Sequence, residues 1–102
     1  MSKPELTLEV LIGPLDGAKV VLTEDTAWSR NGDGPLAFPW DAELGEPQAM
    51  FSVDEQGWWI ESVSSLHGTY RLMRGKPKRI RVKTLLSKDD VLKASMTLLL
   101  VC

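Results

Sequence analysis

The sequence predicts an all-β protein, a sandwich of two twisted, mainly antiparallel sheets built from about 10–11 short strands. Three observations carry this expectation. No window holds an apolar repeat of helical period over the length of an ordinary helix. Short apolar or alternating runs recur at a spacing of roughly ten residues, the interval expected of a sandwich. Between them stand clusters of Gly, Pro, Asn, Asp and Ser, the residues that reverse a chain.

Residues 6–12 open the series. Leu6, Leu8, Val10 and Ile12 share one face, with Thr7, Glu9 and Leu11 on the other, the period of two that marks a strand. Residues 13–17 are a turn, Gly-Pro-Leu-Asp-Gly, and residues 19–22 form a second strand, so the chain begins with a hairpin. Residues 23–26 read as loop and 27–30 as a further extended segment. Asn31-Gly32-Asp33-Gly34-Pro35 is the densest turn signal. It lacks the ligand spacing of a calcium loop.

Leu36 and Phe38 point one way in a short strand that Pro39 confines to an edge or an end. Residues 41–47 form a loop carrying Asp41, Glu43 and Glu46. Strands follow at 49–53 and 58–63, joined by the four-residue connection Asp54-Glu55-Gln56-Gly57. Trp58 and Trp59 must face opposite sides, one toward the core and the other toward the surface or a loop.

The stretch 60–70 organises the chain. It reads as the end of a buried strand, a polar turn built on Ser64, Ser65, His67 and Gly68, and a new strand starting at Thr69 and Tyr70. The last strands are expected at 70–73, 79–85 and 96–101, with turns at 74–77 and 87–90. In the strand 79–85, Arg79, Arg81 and Lys83 would line one face and Ile80, Val82 and Thr84 the other.

Charge and composition bound the function. A hydrophobic content of 43% and a charged content of 25% are those of a globular protein. One domain spanning 1–102, with its core in 6–101, is expected. The apolar run 98–101 at the C-terminus raises the expectation that the chain is a fragment of a longer protein. Nothing resembles a signal peptide or a membrane segment, and the single cysteine, Cys102, allows neither an internal disulfide nor a zinc site. A cytoplasmic location, no metal and no cofactor are expected.

The net charge of −2 conceals an asymmetry. Residues 1–61 hold three basic and twelve acidic side chains; residues 62–102 hold nine basic and two acidic. The halves either complement one another within the domain or leave a bipolar surface suited to head-to-tail association or an acidic partner. Arg71, Arg74, Lys76, Lys78, Arg79, Arg81 and Lys83 form a positive run with no acid between residues 62 and 88. It reads as a solvated strand face that discourages edge aggregation, or as a surface for an acidic or phosphorylated protein, a second copy included. Nucleic acid is not expected, given a pI near 5.3 and no aromatic residue beyond Tyr70. Catalysis is not expected either: His67 is the sole histidine, and no orienting acid accompanies it on its turn.

In their order these segments resemble a forkhead-associated (FHA) domain over roughly residues 8–101. Ser29-Arg30 stands where the family has Gly-Arg, and Leu36-Ala37-Phe38 fits the strand that follows. Gly45-Glu46-Pro47-Gln48-Ala49 occupies the Ser-x-x-His-Ala loop, Ser65-Leu66-His67-Gly68-Thr69 replaces Ser-x-Asn-Gly-Thr, and Asp89-Asp90 replaces Gly-Asp. The resemblance implies an FHA/SMAD-like sandwich whose end loops bind phosphothreonine peptides.

By that resemblance, Arg30, Gly45, Glu46, Ser65, Leu66 and His67 are the phosphopeptide-binding positions, and Gln48, Gly68 and Thr69 support the loops. Gly45 lacks the family's hydroxyl, Glu46 brings an acid to the site, and His67 replaces the asparagine. Arg30 contacts phosphate in one reading and pairs with Glu43 or Glu46 in the other; His67 is a ligand contact or a plain turn residue.

The expectation is a non-catalytic protein-interaction module with weakened or lost phosphothreonine recognition and a scaffolding or assembly role. Degenerate domains similar to this one occur in the basal-body rings of bacterial type III secretion systems. The alternative is a genuine phosphothreonine-binding signalling adaptor using Arg30 and the turn 65–69.

Overall fold

The computed structural model describes residues 4–63 and 68–102. Ten strands are assigned among them, in two antiparallel sheets and with no helix. β1 (Leu6–Val10), β2 (Lys19–Leu22), β6 (Tyr70–Met73), β7 (Lys76–Arg79), β9 (Val91–Ala94) and β10 (Thr97–Val101) form a six-stranded sheet ordered β2-β1-β10-β9-β6-β7. β3 (Thr26–Trp28), β4 (Ala49–Asp54), β5 (Gly57–Ser62) and β8 (Thr84–Leu85) form a four-stranded sheet ordered β3-β4-β5-β8.

Alternation places the core between the sheets. Leu6, Leu8 and Val10 of β1, with Leu99 and Val101 of the adjacent β10, share one buried cluster with Ala49, Phe51 and Val53 of β4 and Trp58 and Ile60 of β5 in the other sheet. Trp28 and Phe51 pack with ring centroids 6.2 Å apart. β1 stops at Val10, short of the expected residue 12, and Ile12 is exposed. The cause is local. Gly13 takes φ +96° with its Cα face against the Trp40 ring, where a Cβ would fall 2.6 Å from Cη2.

Elsewhere the expected boundaries move. Segment 36–38 is not a strand: Ala37 makes one parallel bridge to Ser29, although Leu36 and Phe38, expected on one face, are both fully buried. Pro35 and Pro39 on either side remove the donors that a longer ladder would need. The β4–β5 hairpin is tighter than a four-residue connection, because Asp54 and Gly57 are themselves paired.

The expected strand 79–85 is divided. β6 turns back through Arg74 (φ 55°) and Gly75 (φ 79°), so β7 already begins at Lys76 and carries Pro77. As the last strand of its sheet, β7 tolerates a proline. Residues 81–83 then cross from the larger sheet to β8 of the smaller one. Arg79, Arg81 and Lys83 therefore share no single strand face. Lys83 instead sits over Trp59, its Nζ 5.6 Å from the ring. β9 was not expected at all, and β10 begins one residue later than expected because Ser95 (φ 53°) and Met96 form the turn between them.

Of the adjacent tryptophans, Trp58 is buried and donates from Nε1 to Pro4 O at 2.8 Å, while Trp59 lies half-buried on the other face.

Candidate functional site

Three connections meet at one end of the sandwich. They are the segment after β3, the loop before β4, and residues 68–69 ahead of β6. Gln48 joins the last two. Fully buried, it accepts a hydrogen bond at Oε1 from Gly45 N (2.8 Å) and donates from Nε2 to Gly68 O and Thr69 Oγ1 (2.9 Å each). A donor on one side and a carbonyl on the other fix which way the amide points. Thr69 is also fully buried and accepts from Ser62 Oγ at 3.2 Å. Its carbonyl accepts from Ile80 N (2.8 Å), tying the turn to the end of β7.

The three residues expected to support the loops thus form one bonded unit. Gly68 adopts φ +70°, and a Cβ there would lie 3.1 Å from Arg79 Nε and Cζ. The Arg79 guanidinium therefore covers the Cα of Gly68. Ser64, Ser65, Leu66 and His67, the centre of the expected turn and three of the expected peptide contacts, lie outside the described residues.

Arg30 is held from three directions. Its amide donates to Gly45 O (3.1 Å), Nη1 donates to Ala42 O (2.8 Å), and Nη2 pairs with the Glu46 carboxylate. Both side chains remain more than a third exposed. Glu43 takes no part in this pairing. Gly45, Glu46, Gln48 and Arg30 are thereby gathered around one loop, whose cation already faces a carboxylate.

A residue with no assigned role in the sequence reading holds this loop in place. Asp41 is fully buried and accepts hydrogen bonds from Ser95 Oγ (2.6 Å), Met96 N (3.0 Å) and Thr97 Oγ1 (2.8 Å). It pins the loop that presents Ala42 and Gly45 to the β9–β10 turn. Nothing near Asp41 in the sequence distinguishes it from Glu43 or Glu46.

The basic residues do not meet Arg30. Arg71 and Lys78 stand directly opposite one another on β6 and β7. With Arg79, Ile80, Arg81 and Val82 they line a recess of about 260 Å³. Arg74 occupies the β6–β7 turn and Lys76 the exposed start of β7. No group of three His, Cys, Asp or Glu side chains that could hold a metal is found among the described residues. No described helix is long and apolar enough to cross a membrane.

With its six-stranded and four-stranded antiparallel sheets packed as a sandwich, the chain has the FHA fold. Three solved structures place it. It is similar to the FHA domain of a hypothetical protein from Arabidopsis thaliana, at 23% identity and a TM-score of 0.81, over 99% of this chain and 86% of that one. It is similar to an FHA domain from a structural and functional analysis of phosphothreonine-dependent FHA interactions, at 20% identity and 0.76, over 96% and 95%. It is also similar to the FhaA FHA domain, solved in complex with the intracellular domain of Rv3910, at 20% identity and 0.75, over 95% and 99%. No protein-family model and no curated protein matches the sequence.

Proposed function

We propose that this chain is a non-catalytic protein-interaction module of the FHA type, with weakened phosphothreonine recognition and a role in scaffolding or assembly. The observation that carries this reading is the pairing of Arg30 with Glu46. A phosphate must displace that carboxylate and then remain beside it. The pair itself is exposed and contributes only about 0.2–1 kcal/mol. The larger effect is repulsion between the carboxylate and a phosphate of about −1.5 to −2 charge, on the order of 1 kcal/mol after screening by water and salt. Together they weaken phosphopeptide binding by roughly tenfold or more. The similar domain studied for phosphothreonine-dependent interactions and the FhaA domain bound to a protein partner support an interaction role.

One observation favours the alternative, a phosphothreonine-reading adaptor. The brace made by Gln48, Gly68 and Thr69 is complete, and the Arg30–Glu46 pair is open to solvent. The test is an NMR titration of the labelled domain with a degenerate peptide library in phosphothreonine and unphosphorylated forms, run on the wild type, Arg30→Ala and Glu46→Gln. Weak or absent phosphate-dependent shifts in the wild type, strengthened in Glu46→Gln and lost in Arg30→Ala, are expected. Strong saturable phosphate-dependent shifts in the wild type, unchanged by Glu46→Gln, would establish the adaptor instead.

A further inference from the structure

The recess beside β7 concentrates positive charge. Arg71 and Lys78 are cross-strand neighbours of like charge, an arrangement that opposes sheet formation. Arg81 adds a third cation to the lining, and no acidic residue lines it among the described residues. Asp90 approaches Arg71 at 3.6 Å from the neighbouring hairpin and offsets part of that charge.

The recess also has an apolar component. Ile80 is buried at its base, and Val82 is 73% exposed at its rim. A solvated edge whose purpose is to repel other strands needs outward lysines on β7, and Lys76 already supplies one. It does not need arginines from β6 and the 80–83 crossing to line a concavity.

We infer that this recess is a docking site for an acidic, carboxylate-rich segment of a partner protein, independent of Arg30. Three cations distributed over two strands and a crossing match carboxylates spaced along a peptide better than a single dianion, which calls for donors converging on one point. Val82 offers contact to an apolar side chain between the acids. Pro77 removes a donor from the open edge of β7, so recognition proceeds through side chains and not by addition of a strand.

The test uses fluorescence anisotropy with a short fluorescein-labelled peptide of alternating Glu and Leu. The same peptide with Gln for Glu, a phosphoserine–Gln peptide and a single-stranded oligonucleotide serve as competitors. Lys78→Glu combined with Arg81→Glu should weaken binding roughly tenfold or more, with salt weakening it further. The exposed pair Lys88→Glu and Lys93→Glu changes net charge equally but lies elsewhere. It should leave binding within about twofold, as should Arg30→Ala. Circular dichroism melts confirm that each variant folds. No binding of the Glu peptide, equal losses in both double variants, or stronger competition by the oligonucleotide or the phosphopeptide would each overturn the inference.

Discussion

Replacing Asp41 with alanine removes the acceptor of three hydrogen bonds while leaving all three donors in place. Hydrogen bonds to a charged group contribute about 1.5–3 kcal/mol each, and an orphaned buried donor costs a comparable amount. The three do not add in full. Ser95 and Met96 sit on a hairpin turn that water can reach, whereas Thr97 is fully buried and bears the whole loss. A destabilisation of about 3–4 kcal/mol is expected. For a domain of this size that lowers the melting temperature on the order of 20 °C.

Asp41→Asn should fall between wild type and alanine, because one amide oxygen still accepts while its NH2 confronts a donor. Urea unfolding followed by far-ultraviolet circular dichroism measures both. Cooperative unfolding with a loss below about 1 kcal/mol for Asp41→Ala would refute the reasoning, since it would mean that solvent satisfies those donors as well as the carboxylate does.

Gln48→Ala should cost about 2–3 kcal/mol and accelerate amide hydrogen exchange at Gly45, whose N–H loses its acceptor. Gln48→Glu should be no milder, since it sets a carboxylate oxygen against Gly68 O. Gly13→Ala should cost more than about 2 kcal/mol, from positive φ and collision with a rigid ring, and should shift the Trp40 indole resonance. An unshifted resonance in a stable variant would count against that contact.

The parts of this fold legible in the sequence were those that local pattern determines. β1, β4 and β5 bury alternate residues, and alternation is visible in any window. β9 escaped notice because its four residues are followed by Ser95-Met96, a turn without Gly or Pro in which serine itself takes the left-handed conformation. The alternation of Arg79 to Thr84 suggested one strand where the chain changes sheets, since a period of two says nothing about which sheet receives it. At the site, the order of motifs singled out Gln48, Gly68 and Thr69, which the structure joins by hydrogen bonds. Asp41 was not, because its partners lie more than fifty residues away and burial of a carboxylate is decided wholly by such distant donors.

The use of a carboxamide at residue 48 carries a consequence for acidity. Between about pH 5 and 8 an imidazole in this position would exchange acceptor for donor as it took up a proton, and the bond from Gly45 N would be lost. Gln48 has no such proton to gain. The latch between the 45–48 loop and the 68–69 turn therefore holds equally in neutral and mildly acid surroundings, and any pH dependence of partner binding must originate elsewhere in the domain.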